Sequence, residues 1–213
     1  MLKIKPFVFS PIQENTYILY NESKDCLIID PGCYFDTEKD ELTAFITQSG
    51  LTPRMLLNTH CHLDHVFGNK FVAETYNLTL HLHEKEKAML EYAPASGLMY
   101  DMPFDNYNGE YIYLKEEDKI SLGNDELVVI EAPGHSPGHI CFYNAAGHFI
   151  ISGDVLFNRS IGRTDLPGGN HETLLKNIRE KLFVLPGETV VYSGHGPTTT
   201  IGDEKKYNPF LIR

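Results

Sequence analysis

No stretch of this 213-residue chain approaches the about 20 consecutive apolar residues needed to span a bilayer, so a membrane-embedded protein is not expected. The opening Met1 to Phe9 alternates apolar and polar residues like a strand and lacks the apolar core of a signal peptide, which predicts a cytoplasmic protein. Cysteine is sparse. Cys26, Cys33, Cys61 and Cys141 form no CxxC pair and no dense framework, so reduced thiols are expected rather than a disulfide scaffold. Positive charge is short as well: Lys and Arg number 18 against 29 Asp and Glu, and the net charge of -11 disfavours a nucleic-acid partner. Linkers, repeats and low-complexity segments are also missing, so residues 1–213 read as a single domain, and a hydrophobic content of 42% suffices for its core. The expected partner is a small molecule; the composition does not specify an oligomeric state.

What is present is histidine in an unusual setting. His60, His62, Asp64 and His65 fall within six consecutive positions directly after the apolar run Met55-Leu56-Leu57. Imidazole and carboxylate are the ligands that zinc and neighbouring divalent ions prefer, and His60 and His62, two apart on extended backbone, point the same way. Asp64 and His65 offer a second set beside the first. The cluster therefore predicts two metal ions in one pocket. Three further segments carry single ligand-type residues at strand ends: His135 in Ala132-Pro133-Gly134-His135-Ser136-Pro137-Gly138, Asp154 after Ile150-Ile151-Ser152-Gly153, and His195 in Ser193-Gly194-His195-Gly196-Pro197. Strand-end loops on a rigid sheet are where ligands converge.

These residues, with the Ile29-Asp30-Pro31-Gly32 turn, resemble the metallo-β-lactamase superfamily over almost the whole chain, HxHxDH standing here as His60, His62, Asp64 and His65. Gly162-Arg163-Thr164-Asp165-Leu166-Pro167-Gly168-Gly169, Ser193 to Pro197 and the closing Tyr207-Asn208-Pro209-Phe210 are similar to the short, single-domain glyoxalase II-like hydrolases. The resemblance implies an α/β fold, the αβ/βα four-layer sandwich of the metallo-β-lactamase type. It also implies two divalent ions: His60, His62 and His135 on the first, Asp64, His65 and His195 on the second, and Asp154 bridging. Zinc suits that donor set, while iron and manganese accept the same ligands. The implied activity is hydrolysis of a glutathione-type thioester such as S-lactoylglutathione by a metal-bridging hydroxide, with Asp64 orienting the water or taking its proton. A thioester suits such a site because a thiol of pKa near about 8.5 leaves with little protonation.

Two other activities of the superfamily are weighed against this one. Persulfide dioxygenases have a similar Thr-His-Cys-His start and Gly-Arg-Thr-Asp loop but use one iron, whose ligands here would be His60, His135 and Asp154; the Ser193 to Pro197 ending fits the hydrolases better. A β-lactamase is disfavoured because His65 stands where many zinc β-lactamases lack histidine. Glutathione recognition is not carried over from two-domain glyoxalase II, whose helical domain follows the last metal histidine, whereas eighteen residues follow His195 here.

Around the ligands, Arg163 offers a cationic fork to a substrate carboxylate, with pairing to Asp165 as its structural alternative. His81, His83, His148 and His171 lack a ligand pattern. His139 is read as structural too, though its place after the His135 turn would also suit support of a ligand. The pattern predicts strands over 2–9, 16–20, 26–29, 55–58, 119–122, 127–132, 140–143, 149–152 and 189–192. It predicts helices over about 37–50, with Thr37 and Asp40 at capping-box-like spacing, and over 66–76, 84–92 and 171–183. Between Tyr92 and Tyr113 it predicts an irregular segment in which Tyr100, Met102 and Phe104 either line an entrance or pack the loop down.

Overall fold

The structure, a computed structural model, describes residues 1–212. Its chain divides into two compact units, 1–114 with 121–125 and 115–120 with 126–213, each built around one six-stranded sheet.

In the first unit the chain runs β1 (Lys3–Phe9), β2 (Glu14–Tyr20), β3 (Asp25–Ile29), α1 (Asp36–Gln48), β4 (Thr52–Leu57), α2 (Leu63–Val66), α3 (Asn69–Tyr76), β5 (Leu80–His83), α4 (Lys87–Met99) and β6 (Tyr111–Leu114). The sheet order is β1-β2-β3-β4-β5-β6, antiparallel from β1 to β3 and parallel from β3 to β6. Edge strand β1 alternates, burying Phe7 and Phe9 and exposing Val8, whereas Cys26 to Ile29 on β3 are buried throughout. That difference is what parallel strands covered on both faces require. Leu42 and Ile46, four apart on α1, join the same core as Ile28 and Leu56.

The second unit holds β7 (Lys119–Leu122), which straddles the division, β8 (Asp125–Glu131), β9 (Ile140–Asn144), β10 (Phe149–Gly153), the hairpin β11 (Leu156–Phe157) and β12 (Ser160–Ile161), α5 (His171–Asn177), β13 (Val190–Ser193), β14 (Thr199–Thr200) and α6 (Ile201–Tyr207). Its sheet order is β14-β13-β10-β9-β8-β7, with β10 and β13 parallel. Leu174 and Ile178 pack with Ile150 and Val191 in a second core.

Several expectations are corrected. Helix α1 is not capped by Thr37 and Asp40. It begins at Asp36, and the Glu38 carboxylate instead accepts the N–H groups of Tyr34 (2.8 Å), Phe35 (3.0 Å) and Ser10 (2.7 Å). The expected 66–76 helix is two, and the earlier, one-turn α2 carries Asp64 and His65. The expected 171–183 helix is α5 followed by a π turn over Ile178–Leu182. The irregular segment is shorter than predicted, because α4 runs on to Met99 through Pro94 and Tyr111–Leu114 is a strand. Proline removes the N–H that would bond the carbonyl four residues back, here Leu90. The Asn106 side-chain amide donates to that carbonyl at 2.7 Å, so the helix crosses Pro94 without an orphaned acceptor. Met102 and Phe104 pack into the first core, Phe104 edge-on to Phe67 at 4.9 Å, while Tyr100 stays exposed.

Candidate metal centre

Each unit places ligand-type residues just beyond the carboxyl ends of two neighbouring parallel strands. In the first unit these strands are β3 and β4: Asp30 follows one, and Asn58 to His62 follow the other. His60 and His65 are fully buried, with ring centroids 4.1 Å apart, and His62 lies 4.8 Å from His60. Asp64 Oδ2 is 3.9 Å from His65 Nε2. Asp30, His60 and His65 offer ligand-type atoms all within 4.8 Å of one another.

Asp30, to which the sequence assigned no role beyond its turn, organises this cluster. It holds a left-handed φ of 48°, a region that Asp tolerates better than most residues. Its Oδ1 accepts from the Thr59 backbone N–H at 2.7 Å and from Asn58 Nδ2 at 3.2 Å; its Oδ2 accepts from Thr59 Oγ1 at 2.6 Å and faces His65 Nδ1 at 3.1 Å. With its proton given to Asp30, the Thr59 hydroxyl is left to accept from His60 Nδ1, 3.1 Å away. One carboxylate therefore puts the Nδ1 proton on both His60 and His65 and leaves each Nε2 lone pair for a ligand. Two further buried carboxylates stand behind the loop. Glu86 accepts the Cys61 N–H at 2.8 Å. Glu14 lies 2.8 Å from Thr16 Oγ1, and burial pushes its carboxyl well above the usual carboxylate range. Gly32 is glycine for want of space: a Cβ there would sit 2.1 Å from Glu14 Oε2 and 2.6 Å from the Asp64 carbonyl.

In the second unit the parallel strands are β10 and β13, followed by Asp154 and His195. Asp154 Oδ2 stands between two imidazoles, 3.5 Å from His135 Nε2 and 3.6 Å from His195 Nε2. Both gaps exceed an ordinary hydrogen bond. His135 donates from Nδ1 to the Arg163 carbonyl at 2.7 Å, which again puts the proton on Nδ1 and the lone pair on Nε2. The Asp154 backbone N–H donates to Nε2 of the fully buried His139 at 3.0 Å, so His139 anchors the strand end that carries Asp154. Gly162 packs so closely that a Cβ would lie 1.9 Å from the Asp154 carbonyl.

The donor set passes a chemical test for divalent metal: imidazoles, of which His60, His65 and His135 have Nδ1 held by an acceptor, and a carboxylate flanked by two imidazoles are ligands for zinc, iron or manganese. Within the first unit the structure gathers His60, His62, Asp64 and His65, and within the second His135, Asp154 and His195. The Arg163 side chain is exposed and makes a bidentate pair with Asp165 at 2.8 and 2.6 Å, which holds the Asp165 carboxyl at about 2. The sequence left that guanidinium between a substrate carboxylate and Asp165; in the structure it pairs with Asp165, while the Arg163 carbonyl accepts from the candidate ligand His135. Among the other histidines, His81 bonds the Thr79 and Leu56 carbonyls, His83 accepts the Lys85 N–H and His148 lies on the surface near Glu188. All four cysteines are free and buried. Burial pushes the Cys26 and Cys33 thiols up to about 12 and raises that of Cys61, which argues against a nucleophilic Cys61.

Comparison with known proteins identifies the family. The sequence profile described as the metallo-β-lactamase superfamily matches residues 10–195, a span that includes every one of these ligand-type residues. The chain belongs to the metallo-β-lactamase superfamily. Among its relatives in the superfamily, the probable metallo-hydrolase YqgX of Bacillus subtilis is 39% identical over 99% of this chain and 98% of its own length. The hydroxyacylglutathione hydrolase GloC of Haemophilus influenzae is 34% identical over 99% and 98%. Of the solved structures, the B3 metallo-β-lactamase BLEG-1 superposes with a TM-score of 0.91 at 40% identity, covering 99% of this chain and 100% of its own. A second solved structure, TTHA1623 in a di-iron-bound form, gives a TM-score of 0.87 at 36% identity over 97% and 100%. The mixed α/β fold with two large sheets is that of the superfamily, and the chain is a metal-dependent hydrolase by family.

Proposed function

We propose that the two ligand sets act as one binuclear centre, and that this centre hydrolyses a glutathione-type thioester such as S-lactoylglutathione. The observation that carries the reading is the Asp154 carboxylate, shared between His135 Nε2 at 3.5 Å and His195 Nε2 at 3.6 Å, which is the disposition a bridging ligand needs. The 34% identity to a hydroxyacylglutathione hydrolase over nearly all of both chains supports the thioester. His60, His62 and His135 would hold one ion, and Asp64, His65 and His195 the other. Two divalent ions, when bound, supply a nucleophile at neutral pH and a Lewis acid for the carbonyl oxygen. Asp64 orients the attacking water and accepts its proton at a carboxylate oxygen. Asp30 keeps His60 and His65 in the tautomer that exposes Nε2, and the Arg163 carbonyl does so for His135. No residue has to protonate the leaving sulfur, because a thiol of pKa about 8.5 departs as thiolate.

We take the ions to be zinc on the chemistry of the donor set, with iron the rival that the di-iron relative suggests. The four free cysteines and the net charge of -11 support a small-molecule enzyme of the cytoplasm, acting on neither nucleic acid nor membrane. Among the described residues, no helix is long and apolar enough to cross a membrane. The likeness to BLEG-1 gives β-lactam hydrolysis as a second reading. A screen of purified, metal-loaded protein against thioesters, β-lactams and phosphodiesters separates the two. The expected result is that S-lactoylglutathione is turned over and that His62→Ala, although folded, loses about a hundred- to a thousandfold, the scale on which one transition-state contact is felt. Turnover of β-lactams alone, or unchanged thioester turnover in His62→Ala, would reject the thioesterase mechanism.

A further inference from the structure

The hairpin β11–β12 leaves Asp154 and returns to the Gly162-Arg163 loop, so its two ends meet two candidate ligands. At one end Val155 follows Asp154 directly. At the other, Gly162 packs against the Asp154 carbonyl, and the Arg163 carbonyl accepts the His135 Nδ1 proton at 2.7 Å. The base of the hairpin is tied to the sheet by Ser193 Oγ, which donates to the Leu156 carbonyl at 2.7 Å. Its tip is held by the C-terminal helix α6. Arg159, at the turn, has a left-handed φ of 60°, uncommon for so bulky a side chain. Its N–H donates to Glu204 Oε2 at 3.0 Å, its Nη1 to the Asp203 carbonyl at 3.1 Å, and its guanidinium lies 4.5 Å from the centre of the Tyr207 ring.

Glu204 is fully buried and saturated with donors. Besides the Arg159 N–H it accepts from Thr199 Oγ1 at 2.6 Å and from Asn208 Nδ2 at 2.8 Å, and Asn208 Nδ2 also donates to the Ser160 carbonyl at 3.0 Å. A buried carboxylate is tolerated only when it is paired this fully. An apolar side chain in its place would take the acceptor from the Arg159 N–H, the Thr199 hydroxyl and the Asn208 amide at once.

We propose that Glu204 is a positioning residue for the metal centre: through the strained Arg159 turn it holds the hairpin that sets Asp154 and His135. The inference rests on the metal reading above. Remote groups that orient ligands typically change metal affinity by about 10–100-fold when removed. The test is zinc affinity, measured by competition with a chromophoric chelator on protein shown to be folded by circular dichroism, for the parent chain, Glu204→Ala, Glu204→Gln and the double variant Glu204→Ala/Arg159→Gly. Glu204→Ala is expected to weaken the tighter zinc site at least about tenfold. The double variant should recover most of that loss, since glycine adopts the left-handed turn without the clamp. A loss confined to thermal stability, with zinc affinity in Glu204→Ala within about twofold of the parent, overturns the proposal, as does a double variant no better than the single. Glu204→Gln keeps an acceptor oxygen for the Arg159 N–H and should stay closer to the parent than Glu204→Ala does; should Glu204→Ala fail to fold, Glu204→Met is read instead, with an unchanged affinity again overturning the proposal. A parent chain that binds no zinc would refute the metal reading itself, a distinct outcome.

Discussion

Asp30 does more for the candidate centre than its place in a turn suggests. A single buried carboxylate fixes the Thr59 N–H, the Thr59 hydroxyl and His65 Nδ1, and through that hydroxyl His60 Nδ1. Removing it should leave the candidate ligands His60 and His65 in place but free their rings to rotate and exchange tautomers. Asp30→Ala is therefore expected to weaken metal binding by about 10–100-fold, and Asp30→Asn, which tolerates the left-handed φ and keeps one acceptor oxygen, by less. Chelator competition on the folded variants measures this, and equal affinities for parent and Asp30→Ala would count against the role. The seven ligand-type residues were legible in the sequence because their spacing and turn settings are local. Asp30 and Glu86 were not legible as supports, because each acts on a residue brought to it only by the fold: Asp30 meets His65 across 35 positions, and Glu86 meets the Cys61 N–H across 25. His139 was open to that reading from its place after the His135 turn, although the group it holds is the Asp154 N–H. Arg163 is the instructive mixed case. Its side chain drew the attention, yet any residue type at that position would present the carbonyl that orients His135.

Helix α4 shows where local rules stop. Pro94 is a helix breaker by any sequence argument, and the segment after Tyr92 accordingly read as irregular. What keeps the helix going is Asn106, whose amide takes the Leu90 carbonyl that Pro94 abandons. Asn106→Ala should destabilise the protein by about 1–3 kcal/mol, because it leaves a part-buried carbonyl unpaired. In a Pro94→Ala background, where an alanine N–H can serve the same carbonyl, the cost should fall to a fraction of that. Denaturant unfolding of the four proteins in this cycle checks it, and identical costs in both backgrounds would show that the two residues do not share the acceptor. Most strands were placed within a residue or two because alternation, or an unbroken apolar run, writes them plainly. The shorter pieces were not: β11 and β12 have two residues each, too few to carry a period, and so does β14. Helix α6 did leave a signal, Thr200 with Asp203 at capping spacing, and the structure uses it, with Thr200 Oγ1 accepting the Asp203 N–H at 3.1 Å.

Across the whole chain, each unit gathers its own ligand-type residues by one device, two neighbouring parallel strands whose carboxyl ends deliver side chains to adjacent loops. Fold class and family follow from that repeated plan together with the order of the motifs, and both were accessible before the structure. Substrate was not accessible in the same way, since no single loop carries a charge or pattern specific to glutathione, and the exposed Arg163 fork is engaged by Asp165. On the proposed reading, Asp64 and His65 give this chain a second metal position, which separates a paired-metal hydrolase from a one-iron oxygenase. Elemental analysis combined with anomalous diffraction on protein loaded to saturation tests it most directly. Two ions per chain, one on His60, His62 and His135, the other on Asp64, His65 and His195, with Asp154 contacting both, is the result expected; one ion beside an empty second position at full loading would contradict it.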